Sequence, residues 1–441
     1  MDKEKKSSDN IPSSKVQRAA RFARTGAKIG KNYVKHYAKK VSKQNVSQED
    51  LDRMNAEDIY DTLSDLKGSA LKVAQMLSMS DNTLPTEYTE RFKMAQNSVP
   101  PLSFPLVVKT FRKEFDKTPH EMFDSFTKEA VNAASIGQVH QATKDGETLA
   151  VKVQYPGVAE SVRSDLQMVK PFARRLMRLN ESELNLYMKE VESMLVDETD
   201  YKLELQRSVK ITEAAAHFKN LIFPTYYEKY SSSRVLTMSW LTGKHLDDFM
   251  AGNPSQEACD AIGQALWDFY DFQMHTLKEV HADPHPGNFL LREDGTVGVI
   301  DFGCVKVIPK DYYDKHFQVI DRALLDDEER KREVFKGLQF ILEDDTPEQE
   351  EFFTGIFTQM LELTTRPFEQ EVFDFGDKEY FNELNAFGEK ISKLEEFRNS
   401  PKARGSQHAM YLNRAYFGMY FMLHELGCRV RTHSAWFERV S

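Results

Sequence analysis

HADPHPGNFLLREDGTVGVIDFG, residues 281–303, places a carboxylate, Asp283, five residues ahead of an amide, Asn288, and reaches a second carboxylate, Asp301, after two short β-rich runs. Asp294-Gly295 between those runs is a dipeptide that closes tight hairpins, because both residues tolerate left-handed backbone. Asn oxygen and Asp carboxylate are hard donors of the kind Mg²⁺ prefers, and the earlier Asp suits the orienting of a hydroxyl or water. His281, Asp283 and His285 could instead ligate zinc or iron. Against that, Pro284 and Pro286 preclude a regular helix, and no distant His, Asp or Glu set has matching spacing. A buried loop without chemistry is the plain alternative.

Upstream, residues 138–155 repeat the arrangement: QVHQAT, then KDGE, then TLAVKVQY, with the turn at Asp145-Gly146. Lys152 alternates with Val151 and Val153, so it leaves the opposite face of its strand. An ammonium there is costly unless it meets an anion, and a phosphate is one such partner; an exposed edge-strand Lys is the simpler reading. Just before this hairpin, Asn132-Ala133-Ala134-Ser135-Ile136-Gly137-Gln138 offers small side chains that let backbone approach phosphates. Ala resists the positive φ that Gly allows, so this turn is stiffer than a glycine loop. Asp-x4-Asn, a hairpin and then Asp-Phe-Gly is also the spacing of a kinase catalytic loop and its metal-binding turn.

The remaining periodicities are mostly helical. An apolar-periodic run covers 65–79, a long helical stretch covers roughly 158–215, and strand-like signal returns at 233–241. Beyond Asp311 the chain reads mostly as helices, ending in an aromatic-rich one over 410–426. No repeat of 20–50 residues is visible. Strands early and helices late predict a small α+β lobe joined to a larger helical lobe.

AASIGQVH (133–140), VKVQYPGV (151–158), DETDY (197–201), HADPHPGN and DFG, in that order, resemble the UbiB/AarF/ADCK family of atypical kinase-like proteins, which is tied to isoprenoid quinone biosynthesis. The resemblance runs from about Leu66 to the C-terminal helix. It implies an α+β, bilobal, protein-kinase-like fold with an N-terminal helical extension and a mostly helical C-lobe. The implied divisions are a basic tail and amphipathic helix (1–44), the extension (45–118), the N-lobe (119–242) and the C-lobe (243–441).

By the same resemblance, Ala133, Ala134 and Ser135 would line the nucleotide. Lys152 would bind its α- and β-phosphates and pair with Glu204, four residues after Asp200 and so on the same helical face. Met238 and Leu241 would fall at a hinge beside the adenine. Asp283 would be the catalytic-loop Asp, with Asn288 and Asp301 holding the metal. The family's KxGQ motif falls on Lys72-Val73-Ala74-Gln75 and its ExD motif on Glu198-Thr199-Asp200. In the family these two meet over the active site and fill the place of a protein substrate. The sequence departs twice: Ala74 replaces the Gly of KxGQ, and Asn132 replaces the first Ala of the Ala-rich loop.

What the resemblance implies is Mg-ATP binding, with hydrolysis or phosphate transfer to a small-molecule or lipid-like acceptor, in support of quinone lipid biosynthesis alongside that pathway's proteins at a membrane surface. A conventional Ser/Thr protein kinase and a nucleotide-gated scaffold are the competing readings. One inference needs no family. Ala282 stands where an HRD loop has the Arg that pairs with a phosphorylated segment, and 304–309 (CVKVIP) begin no APE-like segment. Activation-loop phosphorylation is therefore not expected to control the protein.

Composition sets the outer bounds. At 441 residues the chain exceeds the size at which one core stops growing, so two or more lobes are expected. Three scattered cysteines suit a reducing, cytoplasmic-type compartment rather than a disulfide framework. No stretch approaches a membrane span and no apolar run near Met1 suggests a secretory signal. The net charge of −10 hides an asymmetry: residues 1–44 carry thirteen Lys or Arg against three acids. That is +10, which leaves −20 for the rest and argues against nucleic-acid binding by the body. From Lys15 to Lys39 the basic residues recur every three or four positions, opposite Val16, Ala20, Phe22, Ala23, Ala27, Ile29, Tyr33 and Val34. That pattern predicts either a solvated helix packed on the body or one lying on an anionic membrane surface through residues 15–40.

Overall fold

A computed structural model describes residues 15–41, 48–66, 102–133, 136–177, 181–394, 396, 404–406 and 408–437. Lys72, Gln75, Ala134 and Ser135 lie outside the described residues. The chain forms two compact units. Of the described residues, one holds those up to Leu205 with Thr225–Trp240, 391–394 and 396; the other holds Gln206–Pro224, Leu241–Lys390 and those from 404 on.

The first unit is built on an antiparallel sheet of β1 (Ser125–Phe126), β2 (Asn132–Ala133), β3 (Gly137–Lys144), β4 (Glu147–Gln154) and β5 (Val235–Ser239), in the order β1-β3-β4-β5 with β2 on β3. Asp145 (φ 51°) and Gly146 (φ 84°) both take left-handed backbone between β3 and β4, which gives the two-residue turn its DG dipeptide favours. On β4, Leu149, Val151 and Val153 bury against Val107 and Phe111 of helix α3 (Phe104–Phe115) and against Phe123 and Phe126. The two-residue period of a strand sends Ala150, Lys152 and Gln154 to the opposite face.

The N-terminal helices α1 (Lys15–Val41) and α2 (Gln48–Leu66) pack together, and α1 also meets α4 (Val158–Met177). The buried stripe of α1 is Arg18, Phe22, Thr25, Ile29 and His36. This corrects the two-faced reading of α1. Arg18 belongs to the inner face, where its Nε donates to Asp165 Oδ1 at 2.7 Å, and Ala20, Ala23, Ala27 and Val34 face outward. Among the described residues Gly26 and Gly30 serve no close helix contact, since a Cβ at either would meet nothing within 4 Å.

The helical stretch expected over 158–215 is three helices: α4, α5 (Glu181–Glu198) and α6 (Tyr201–Ala214). Asp200 is the N-cap of α6, its Oδ1 accepting from the amides of Lys202 and Leu203 at 3.1 and 3.2 Å. Glu204 N donates to Asp200 O at 3.0 Å, so the cap and Glu204 stand one turn apart at the start of α6. Such caps satisfy amides that the first turn leaves without partners.

In the second unit α7 (Gln256–Phe272) is the central helix, capped by Ser255, whose Oγ accepts from Ala258 N. Strand β6 (Glu279–His281) pairs antiparallel with β9 (Val305–Val307), and β7 (Phe289–Leu291) with β8 (Val297–Val299); Leu221–Ile222 adds in parallel to β8. The β7–β8 connection, 292–296, is longer than the first hairpin's two residues: Gly295 (φ 80°) donates to Arg292 O at 3.1 Å, while Arg292 N donates to Thr296 O. Helix α8 (Ala409–Leu426), the aromatic one, packs on α7 and on β6.

Candidate active site

In the first unit the site is a charge pair held by β4 and α6. Lys152 sits opposite Val139 and Leu236 of the flanking strands, so its stem is enclosed by apolar side chains. Its Nζ donates to Glu204 Oε1 at 2.8 Å and Oε2 at 3.1 Å. Glu204 is 2% exposed and Lys152 8%, so this is a buried pair. The Tyr201 ring lies 5.0 Å from the ammonium. Its hydroxyl reaches under the β3 strand: a Cβ on Gly137 would stand 2.7 Å from it, so only glycine fits there. Between α5 and α6, Thr199 O accepts from Gln154 Nε2 at 2.8 Å, which ties the Glu198–Asp200 junction to β4. Glu198, the last residue of α5, is buried and Asp200 exposed.

Ala133 pairs with Gln138 across β2 and β3. Gln138 is itself anchored, its Oε1 accepting from Leu102 N at 2.6 Å and its Nε2 donating to His140 Nε2 at 2.8 Å. Burial pushes the His140 imidazole down. The ring is therefore neutral at pH 7, with Nδ1–H left to donate to Thr127 O at 2.8 Å. Met238 is buried on β5 beside Ala150 and Tyr226. The boundary between the units falls after Trp240, which leaves Met238 in the first and Leu241 in the second, beside Gly298.

The second unit brings Asp283, Asn288 and Asp301 onto one frame. The β6–β9 pair fixes both ends: Ala282 N donates to Cys304 O at 2.9 Å. Between them the loop folds on itself, with His285 N donating to Asp283 O and Asn288 N to His285 O. Asn288 Nδ2 donates to Asp283 O at 2.8 Å. With its nitrogen turned into the loop, the amide's oxygen is the atom presented on the other side. Ile300 N donates to Asn288 O, and Gly303 N to Asp301 Oδ1 at 2.8 Å. Phe302 is fully buried among Phe223, Phe269 and His281, which anchors the turn after Asp301. His281 and His285 are engaged within the loop region: His285 Nδ1 accepts from Gly287 N at 3.0 Å, and the Tyr270 hydroxyl lies 3.4 Å from His281 Nδ1. Burial pushes the Tyr270 phenol well up, and the nearby Asp283 carboxylate adds to this, so it stays protonated. Among the described residues no group of three or more His, Cys, Asp or Glu could hold a metal by itself. Asn288 and Asp301 offer an all-oxygen donor set, which fits Mg²⁺ completed by phosphate and water.

Residues 94–335, more than half the chain, match the family described as the ABC1 atypical kinase-like domain. The chain belongs to that family. Atypical kinase COQ8B, mitochondrial, of Rattus norvegicus is 27% identical over 83% of this chain and 70% of its own length. AarF domain-containing kinase 1 of Drosophila melanogaster is 30% identical over 59% of this chain and 51% of its own. The chain thus spans about half the length of several curated relatives it matches. Among solved structures, Rv3197 of Mycobacterium tuberculosis, determined in complex with erythromycin, aligns at a TM-score of 0.58 with 26% identity, covering 87% of this chain and 95% of that one. The α+β, kinase-like fold of the ABC1 family is therefore the fold of this chain. Among the described residues no helix is long and apolar enough to cross a membrane.

Two residues that sequence reasoning did not single out touch the site residues. Tyr201 lies within the quoted DETDY run, beside Lys152. Arg414, on α8, pairs with Asp283, and no local pattern marks it.

Proposed function

We propose that this chain binds Mg-ATP and either hydrolyses it or transfers phosphate to a small or lipid-like acceptor, in support of isoprenoid quinone biosynthesis at a membrane surface. The observation that carries this reading is the buried Lys152–Glu204 pair. A buried ion pair is weak support for stability, because desolvation consumes most of its attraction. Its retention is understandable where the ammonium has a second, anionic partner such as phosphate. Lys152 would hold the α- and β-phosphates while Glu204 keeps its ammonium from swinging away. Asp283 would orient the attacking hydroxyl or water. Asn288 and Asp301 would hold Mg²⁺, which when bound neutralises charge on the phosphate oxygens.

Exclusion of peptide acceptors belongs to the same proposal. By family resemblance, the segment with Lys72 and Gln75, which lies outside the described residues, would meet Glu198 and Asp200 over the acceptor site. A segment so placed, if Lys72 paired with either carboxylate out of water, would cost on the order of 3–5 kcal/mol to displace, more than a transient substrate contact supplies. Incubation with labelled ATP and a diverse peptide library is expected to label peptides negligibly while phosphate release continues. Robust peptide labelling would overturn the exclusion and make a conventional protein kinase the better reading.

A further inference from the structure

The loop that carries Asp283 has no arginine of its own, since Ala282 stands before it, buried. A guanidinium arrives instead from 131 residues away. Arg414 of α8 donates from Nη2 to Asp283 Oδ1 at 2.7 Å. Only 14% of the arginine side chain and 12% of the aspartate's are exposed. The register of the helix against the loop is set four residues on, at Gly418. A Cβ there would stand 2.2 Å from Cγ of Pro284, so the helix backbone rests directly on the residue after Asp283. Pro284 has fixed φ, which limits how far the loop can yield. From the other side Asn288 Nδ2 holds Asp283's backbone oxygen at 2.8 Å. Backbone and carboxylate of one residue are thus restrained by two unrelated contacts.

We infer that Arg414 is the positioning residue for Asp283, holding one carboxylate oxygen so that the other is aimed at the acceptor hydroxyl or water. The inference rests on the phosphoryl-transfer reading above. A charge-assisted hydrogen bond from a guanidinium is both stronger and more directional than a neutral one. Burial keeps it from being screened as a surface pair would be. The bond from Arg414 falls on the carboxylate assigned to the chemical step, so its loss is expected to lower kcat more than nucleotide affinity.

The test is steady-state phosphate release from Mg-ATP by the full-length chain as wild type, Arg414→Met and Arg414→Lys, each with a thermal melt. Arg414→Gln, which keeps a donor and much of the stem, replaces the Met variant if that one does not fold. Removing the guanidinium is expected to lower kcat roughly tenfold to a hundredfold, the scale of a misplaced catalytic group. KM for ATP should stay within about twofold, because binding shared by ground and transition states is untouched. Arg414→Lys should recover most of the lost rate. Three results would overturn the inference alone: wild-type kcat without the guanidinium, a loss confined to KM, or a Lys variant no better than Met. Absence of turnover by the wild-type protein would overturn the phosphoryl-transfer reading, and the inference would fall with it.

Discussion

Lys152→Met isolates the charge of the ammonium, because Met keeps the length of the stem and removes only its cation. Glu204, 2% exposed, would then remain in the interior without the partner that now lies 2.8 and 3.1 Å from its two oxygens. An exposed ion pair is worth about 0–1 kcal/mol, whereas breaking a buried one costs about 3–5 kcal/mol. Burial of both side chains selects the larger figure. Urea unfolding of the full-length chain, with separate transitions fitted separately, is expected to show that loss in the transition that melts the sheet. Lys152→Met/Glu204→Gln removes both charges and should recover most of it. Mg-ATP at about 100 times its Kd should add about 2.7 kcal/mol to the wild type and much less to Lys152→Met. A loss under about 1 kcal/mol, or a double variant no more stable than the single, would refute the burial argument.

Acid should weaken the second unit through His316. Burial pushes this imidazole down to about 4, and its Nδ1 lies 2.9 Å from the Tyr312 hydroxyl. The folded state therefore resists a proton that the unfolded chain accepts near pH 6.5. Stability is full above that pH and declines as pH falls toward 4, by about 2 kcal/mol at pH 5. Burial of His140 acts in the same direction. Urea midpoints at pH 7.5 and pH 5 should differ more for wild type than for His316→Gln, and equal differences would contradict this. Exposed Arg24, Lys31 and Lys35 on α1 should draw the protein to anionic vesicles with about 1 kcal/mol each. Their joint replacement by Gln is expected to abolish salt-sensitive co-sedimentation; unchanged co-sedimentation would remove α1 from the membrane reading.

The features legible in the sequence are those whose determinants lie close together in the chain. The β3–β4 hairpin follows from strict alternation around Asp145-Gly146, and Lys152's face follows from the same period. The loop from Asp283 to Asn288 was readable because its spacing is a local property. Helix ends and faces were harder. The DETDY run has no Gly or Pro to break a helix, yet α5 stops at Glu198 and Asp200 caps the next helix. Asp directly before an apolar-periodic run was the available signal. On α1 the basic repeat hid the buried stripe, since one of its members, Arg18, is charged and meets Asp165 147 residues away. Arg414 was illegible for the same reason: its partner is set by packing of α8 on the loop, and nothing near it in sequence encodes that contact.

Phosphate release from Mg-ATP by the purified wild-type protein and by Asp301→Asn is the most direct measurement. Asp301 is held by Gly303 N at one oxygen and anchored by buried Phe302, so Asn should fold in its place while forfeiting the carboxylate. Steady turnover and a Mg-ATP-dependent rise in Tm for the wild type, both lost in Asp301→Asn, are the expected result. A wild-type protein that neither turns over ATP nor is stabilised by it, or an Asp301→Asn variant equal to wild type in both, would contradict the proposed site.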